Sequence, residues 1–90
     1  MKKYYVLRYG HGCYTIWYGT LEQLIDAFSY TLEIGNSWDK RINKNPKTIK
    51  SFISNLNRAF AIKEAKCYDR SYVEIATKEQ INLYEIEELD

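Results

Sequence analysis

The N-terminal quarter of the chain predicts a β-hairpin, and this hairpin constrains the fold more than any other feature. Residues 3–9 and 13–18 are rich in aromatic and β-branched side chains, which favour strands. Gly10, His11 and Gly12 lie between them, and the two glycines adopt positive φ at little cost. We therefore expect two antiparallel strands with a three-residue connection, on which the rest of the chain packs.

Two amphipathic helices are predicted to follow the hairpin. The first begins at Thr20, which forms a capping box with Gln23, and ends at Gly35 as its C-terminal cap. The second covers about residues 46–62, with Asn45 as its N-cap and a proline in its first turn. Apolar residues at helical spacing form the buried stripes, Leu21, Leu24, Ile25, Phe28 and Leu32 in the first helix and Ile49, Phe52, Ile53, Leu56 and Phe60 in the second.

Two further strands are predicted to close the domain. They cover residues 71–76 and 81–86, with residues 77–80 as the turn between them, although Thr77 and Glu79 are also compatible with the start of a short helix. The resulting order is ββααββ, which predicts an α+β fold with two helices packed on one face of a small antiparallel sheet. At 90 residues the chain is expected to form a single domain, residues 1–90.

The overall net charge of +1 conceals a strongly uneven distribution. Residues 37–68 carry eight basic and two acidic side chains, a net charge of +6, whereas residues 69–90 carry two basic and seven acidic ones, a net charge of −5. One interpretation is that the acidic end neutralises the basic segment across the fold. The other is an electrostatic dipole, which steers the molecule toward a charged partner.

The basic charge is concentrated in residues 35–58, which hold six basic side chains against one acid, Asp39. A helix N-terminus already attracts anions, and lysines are expected around this one. Trp38 and Arg41 belong to residue types that are enriched at interface hot spots. In the alternative, Trp38 packs on the core and the lysines form a solvated face. The predicted partner-binding residues are Trp38, Lys40, Arg41, Lys44, Lys47 and Lys50.

The nine tyrosines suggest a second possible surface. Tyr4, Tyr14 and Tyr18 alternate with other residues, so several of them are expected to share a sheet face with Tyr72 or Tyr84. If that face is open, it resembles the aromatic platforms on which single-stranded nucleic acids stack. The alternative is that these tyrosines are structural and simply tolerate contact with water.

No catalytic or metal-binding motif is recognisable. His11 is the only histidine and is expected to be a solvated turn residue, because no partner for acid–base chemistry lies near it in the sequence. Cys13 and Cys67 lack the paired spacing of a zinc or redox site, so we expect free, partly buried thiols and no metal or other cofactor. No segment approaches the roughly 20 apolar residues of a membrane helix, which predicts a cytoplasmic protein without a membrane partner.

One segment resembles a known group of proteins. Residues 30–57 read YTLEIGNSWDKRINKNPKTIKSFISNLN. This segment resembles small accessory proteins of tailed phages and prophages, in which a YTLE-x-G helix end, a basic loop, P-K-T-I-K-S and an N-L-N helix follow one another. The resemblance implies no catalytic residues. It implies a setting, because short phage accessory genes often encode inhibitors of host enzymes or of bacterial defence systems, anti-CRISPRs among them.

These observations lead to two functional hypotheses. The first is a non-enzymatic, phage-encoded protein that binds and blocks a host or defence-system protein, for example of the CRISPR type, in the host cytoplasm. The second is a small nucleic-acid-binding module that uses the basic loop–helix segment and the sheet tyrosines. Mimicry of DNA by an acidic surface does not fit, because the chain is balanced overall and locally basic.

Overall fold

A computed structural model describes all 90 residues, Met1–Asp90. The protein is an α+β domain, as the sequence predicts, but the order of its elements is ββαααβαβ instead of ββααββ. The elements are β1 (Lys3–Gly10), β2 (Cys13–Thr20), α1 (Leu21–Ala27), α2 (Ser29–Trp38), α3 (Ile49–Lys63), β3 (Tyr72–Ile75), α4 (Lys78–Leu83) and β4 (Ile86–Glu88).

The predicted hairpin is confirmed, with a tighter turn than expected. β1 and β2 pair antiparallel along their whole length, from Lys3 opposite Thr20 to Gly10 opposite Cys13. Gly10 therefore belongs to β1, and the turn consists of His11 and Gly12 alone, at φ values of 53° and 82°. Positive φ at both central residues is the signature of the type I′ turn, whose twist matches that of the flanking strands.

The sheet is mixed, and the prediction of a purely antiparallel sheet is wrong. The strand order is β3-β1-β2-β4, with β3 antiparallel to β1 and β4 parallel to β2. Because β3 and β4 lie at opposite edges, residues 76–85 must cross one face of the sheet between them. Residues 81–83, expected to begin the last strand, belong instead to α4, which starts at a capping box of Thr77 and Gln80. The short-helix alternative at Thr77 is therefore the correct one.

The main core lies between the sheet and helices α1–α3. Its ten buried side chains include Val6 and Val73 from the sheet and Phe52, Leu56 and Phe60 from α3. The hydrophobic stripe predicted for the second helix is thus the face of α3 that meets the sheet. This part of the prediction, with helices packed on one sheet face, is confirmed for α1–α3.

The crossing segment covers the other face of the sheet. Leu7 and Ile16 are opposite one another on β1 and β2, are fully buried, and lie outside the main core. Gln80 of α4 donates a hydrogen bond from Nε2 to Oε1 of Glu74, 3.3 Å away, and Glu74 is the β3 neighbour of Leu7. Successive strand residues point to opposite faces, so α4 packs on the side opposite α1–α3. The prediction of helices on one face only is wrong for α4.

The first predicted helix is divided in two and extends further than expected. Thr20 and Gln23 form the predicted capping box, but the helix breaks at Phe28, where φ is −109° and ψ is 15°. Gly35 is not a C-cap: it lies within α2, where a Cβ atom would meet the Cβ of Ala59 at 2.5 Å. The glycine is needed for close approach of α2 to α3, and α2 continues to Trp38.

The second predicted helix starts three residues later than expected. Thr48 is the N-cap of α3, and its side chain accepts a hydrogen bond from the backbone N–H of Ser51 at 3.1 Å. Asn45 is not the cap: it lies in the loop three residues before Thr48, where its backbone N–H donates to Oδ1 of Asn43, 2.8 Å away. The polar segment before α3 therefore has about the predicted length but lies three residues further along the chain, as the loop of residues 39–48.

Candidate contact surface

The loop of residues 39–48 runs back alongside α3. The backbone N–H of Asn43 donates to Oδ1 of Asn55 at 2.8 Å, while Thr48 caps the helix through Ser51. The positive charge of Arg58 also helps to lower the pKa of Asp39, at the start of the loop. As the loop proceeds, its partners on α3 move toward the N-terminus of the helix. The loop therefore lies beside one face of α3, and we call the exposed surface of the two the strip.

The backbone of this loop is fixed from beneath. Ile42 is fully buried in the main core, and Pro46 is also buried. The carbonyl oxygen of Ile42 accepts from Nδ2 of Asn36 at 2.8 Å, and the side chain of Asn55 is itself held by the backbone oxygen of Ser51 at 2.8 Å. These contacts order the backbone while its charged side chains remain in water. A surface preorganised in this way loses less conformational entropy on binding.

All six predicted partner-binding residues are exposed on this strip. Trp38, the last residue of α2, is 77% exposed, so it does not pack on the core. The other five lie in the loop or in the first turn of α3, and these are Lys40, Arg41, Lys44, Lys47 and Lys50.

The lysines of the strip have no ion-pair partner. Arg41 is held in two parallel contacts by Asp39, Nε to Oδ1 at 3.0 Å and Nη2 to Oδ2 at 2.9 Å, and this is the only salt bridge in the protein. Hydrogen bonds from the Arg41 side chain and backbone lower the pKa of Asp39 to about 2. The other acid of residues 37–68, Glu64, is buried and accepts from the backbone N–H of Ser71 at 2.7 Å. Neither acid neutralises the lysines, and the acidic residues 69–90 form no salt bridge with them.

The strip is longer than the sequence suggested. A rise of 1.5 Å per helical residue separates Lys50 from Ile62 by about 18 Å along α3. Trp38 lies beside the C-terminal end of α3, whereas Lys47 and Lys50 lie at its N-terminal end. The predicted set left out three basic residues, Arg58 and Lys63 of α3 and Lys66 of the segment after it. We use the term basic strip for the eight exposed cations of the loop, of α3 and of the segment after it, Lys40, Arg41, Lys44, Lys47, Lys50, Arg58, Lys63 and Lys66. Within α3, Lys63 lies about 140° around the helix axis from both Lys50 and Arg58.

A groove of about 330 Å³ opens beside Trp38, where α2 meets the end of α3. We call it the Trp38 groove. Tyr30, also on α2 and 68% exposed, lies close by, with Nζ of Lys63 at 5.5 Å from the centre of its ring. No local sequence signal predicts this groove, because its walls come from two helices brought together by tertiary packing. Its lining residues are Trp38, Ile62, Lys63, Ala65, Lys66 and Cys67.

A second, wider groove of about 700 Å³ lies beside α1. Three acidic residues, Glu22, Asp26 and Asp90, contribute to its lining, and Asn45 from the loop reaches it. The loop that carries Lys44 and Lys47 therefore borders a groove with acidic residues in its lining. No group of three or more His, Cys, Asp or Glu side chains in the protein is arranged to hold a metal ion.

Six tyrosines share the sheet face crossed by α4. Tyr4 is not among them, because it packs against the main core on the other face. Tyr5 and Tyr18 stack with ring centroids 4.1 Å apart. The other four form a row across the sheet, Tyr72–Tyr9–Tyr14–Tyr84, with successive centroids 5.2, 4.9 and 4.9 Å apart. We call these six residues the tyrosine face; their rings pack mainly against each other.

The remaining candidate residues do not converge. His11 is exposed on the hairpin turn, as expected for a solvated histidine. Cys13 and Cys67 are free thiols as predicted, but both are exposed, so the expectation of partial burial is wrong. Cys13 lies at the hairpin end of β2, whereas Cys67 lines the Trp38 groove.

Comparisons with known proteins do not assign this chain to a family. No protein-family model, curated protein or solved structure matches it. None of its helices combines the length and apolar character needed to cross a membrane. The functional argument therefore rests on the chain's own side chains, and above all on the basic strip and the Trp38 groove.

Proposed function

We propose that this protein is a non-enzymatic binding protein, encoded by a phage, that inhibits a host or bacterial-defence protein by direct contact. The proposed target is, for example, a CRISPR-type defence protein in the host cytoplasm. The observation that carries the proposal is a basic strip whose backbone is tied down while seven of its eight cations lack a salt bridge. The contact residues are Trp38, Lys40, Arg41, Lys44, Lys47 and Lys50.

The chemistry of the strip favours a protein partner with an acidic surface. An exposed tryptophan beside cationic residues combines an apolar anchor with electrostatic complementarity, and tryptophan and arginine are over-represented among hot spots. Unpaired surface lysines accelerate encounter with an acidic patch and disfavour basic partners. Trp38 and the lysines of the strip thus have separate roles, anchoring and steering.

The phage setting is supported by the segment that carries the resemblance. Residues 30–57 build most of α2, the whole loop and the first part of α3. The segment that resembles phage accessory proteins is therefore the one that forms most of the proposed contact surface. Binding residues are commonly carried by loops that a rigid scaffold holds in position.

The proposal is tested by affinity capture from bacterial lysate with nuclease added, followed by mass spectrometry. We expect the wild-type protein to recover one protein in stoichiometric amount, and the variant Lys44→Glu/Lys47→Glu/Lys50→Glu to lose it. The matched control is Lys2→Glu/Lys3→Glu/Lys78→Glu, which changes the net charge equally at exposed lysines outside the strip. Absence of a stoichiometric partner, or equal loss with both triple variants, would contradict the proposal.

A nucleic-acid-binding module is the second candidate, favoured by the same uncompensated lysines. Phosphate contacts make affinity fall steeply with salt, with a log–log slope of about −0.9 per phosphate on duplex DNA. If this candidate is correct, a gel shift appears at about 50 mM salt and is lost in the triple variant of the strip. The tyrosine face adds little support, because its rings stack on one another and α4 crosses it.

A further inference from the structure

We propose that the Trp38 groove is the anchor pocket of the contact surface. It accepts one aromatic or branched aliphatic side chain from a partner protein, and acidic residues on both sides of that side chain meet the surrounding lysines. The inference rests on the proposed function, since it names the partner chemistry that the strip recognises. It also extends the surface to Ile62, Lys63, Ala65, Lys66 and Cys67, which the sequence did not indicate.

The groove has the size and lining of a pocket for a single large side chain. Its volume of about 330 Å³ is at the lower end of the range of about 300–1,000 Å³ that is typical of ligand sites. Trp38, Ile62 and Ala65 contribute apolar surface to its lining. Burial of an apolar side chain between such walls removes hydrocarbon surface from water on both molecules.

The walls of the groove are preformed. Close contact between Gly35 and Ala59 fixes α2 against α3. Gly35 lies three residues before Trp38, and Ala59 lies three residues before Ile62. The chain after α3 is held by its own hydrogen bonds: the backbone N–H of Cys67 donates to the oxygen of Glu64 at 2.9 Å. Nη2 of Arg70 donates to the oxygen of Ala65, also at 2.9 Å. A preformed pocket spares the partner the cost of ordering it.

Charge decides between possible occupants. Lys63 and Lys66 belong to the lining, and Lys40 follows Trp38 by two residues; none of the three forms a salt bridge. An apolar side chain flanked by Asp or Glu satisfies both the pocket and its cationic rim, whereas a basic segment is repelled. The geometry therefore points to an acidic segment of the partner protein.

A second copy of this chain is a weaker occupant. Residues 85–90, EIEELD, have acids around aliphatic residues. In the folded protein, however, Ile86–Glu88 pair with β2, and Leu89 packs against the main core. Insertion into a neighbour's groove would require this segment to leave its own sheet. A different protein with an accessible acidic segment avoids that cost.

The test is selection from a displayed library of random 12-residue peptides on the wild-type protein. The two free cysteines allow the groove to be blocked with a matched control. In the Cys13→Ser variant, a bulky maleimide attached to Cys67 fills the groove. In the Cys67→Ser variant, the same reagent attached to Cys13 leaves the groove open. We expect enriched peptides to carry one aromatic or aliphatic residue flanked by Asp or Glu. Their affinity should fall at least tenfold with the Cys67 label or with Trp38→Ala, and stay unchanged with the Cys13 label.

Three results would overturn the inference: no enrichment, enrichment of basic peptides, or acidic peptides that still bind when Cys67 is labelled. Circular dichroism of each labelled protein excludes loss of folding as the cause of lost binding. If analytical ultracentrifugation shows a dimer that dissociates when Cys67 is labelled, the occupant of the groove is a second copy of this chain and not a different protein.

The same reagents separate this inference from the proposed function. If the captured protein is lost with the triple lysine variant but retained by the Cys67-labelled protein, the proposed function stands and the anchor pocket does not. If acidic peptides bind the groove while no protein is captured, the pocket stands and the proposed inhibitor function fails.

Discussion

The basic strip and the tyrosine face are both rich in residue types that bind partners, yet their side chains are used differently. In the strip the backbone makes the structural contacts, and the lysine side chains are left free. On the tyrosine face the side chains make the contacts, ring against ring. Composition alone does not separate the two surfaces; what distinguishes them is where each side chain finds its partner.

The two surfaces also differ in charge. The tyrosine face lies among acidic residues: the hydroxyl of Tyr9 donates to Oδ2 of Asp69 at 2.6 Å, and Glu74 lies on the same face of β3 as Tyr72. The acids beside the tyrosine face come from residues 69–90 and the cations of the strip from residues 37–68, so the uneven charge of the sequence separates these two surfaces. We infer that the strip serves contact with a partner and that the tyrosine face mainly stabilises the sheet.

The largest expected effect distinguishes buried Ile42, which supports the loop, from exposed Trp38, which we propose contacts the partner. Ile42→Ala should lower the free energy of unfolding by about 2–5 kcal/mol, because it leaves a cavity in the main core. Trp38→Ala should change it by less than about 0.5 kcal/mol, as for other exposed residues. Urea denaturation measures both, and similar losses for the two variants would show that Trp38 is structural.

A smaller effect is expected where the edge strand β3 is joined to α3. The side chain of Asn57 accepts from the backbone N–H of Val73 at 2.7 Å and donates to its oxygen at 2.8 Å. Asn57→Ala leaves both groups unpaired, which should cost about 1–3 kcal/mol of unfolding free energy. Asn82→Ala, an exposed residue of α4, is the control. Equal stability of the two variants in urea would argue against this role of Asn57.

The tyrosine row should contribute less per residue. Tyr14 contacts both Tyr9 and Tyr84, and aromatic pairs contribute about 0.5–1.5 kcal/mol beyond area burial. Tyr14→Ala should therefore destabilise the protein measurably in thermal denaturation, while Tyr30→Ala, on the exposed side of α2, should not. A stable Tyr14→Ala variant that no longer binds the partner or nucleic acid would make the tyrosine face a contact surface.

The smallest effect concerns the single ion pair of the strip. The Arg41 side chain and backbone lower the pKa of Asp39 to about 2. Because this pKa is depressed in the folded state, the pair stabilises the fold above the ordinary carboxylate pKa, and the contribution disappears as pH falls through about 2. NMR titration should give a carboxylate midpoint near 2 that rises in Arg41→Ala and rises less in Arg58→Ala. An unchanged midpoint in Arg41→Ala would show that the pair does not form in solution.

Local sequence signals predicted the local elements well. The hairpin, the Thr20 capping box, the hydrophobic stripe of α3 and the short-helix alternative at Thr77 all depend on residues within a few positions of each other. The exposure of the predicted contact residues is also a local feature, because a polar loop beside an amphipathic helix faces water. Trp38 was the one of these that the sequence left open.

The wrong predictions concern residues distant in sequence. The local sequence of Gly35 is typical of a C-cap, but in the fold the residue allows α2 to approach Ala59 closely. The local sequence of residues 81–86 is compatible with a strand, but in the fold the crossing segment buries Leu7 and Ile16 on the second sheet face. The parallel pairing of β4 follows from that crossing. Apart from the capping signal at Thr77, which favours α4, these choices have no signal within a few residues of the position concerned.

The sequence by itself determined the α+β class, the first hairpin, the two main apolar stripes and the segment in which positive charge gathers, because periodicity, capping and charge act over short distances. Only the tertiary structure decided which edge β4 joins, that α4 lies on the second face, and that the end of α3 meets Trp38 to form a groove. The physical reason is that these features depend on the burial of apolar surface and on close contact between helices, and both arise only when distant parts of the chain pack together.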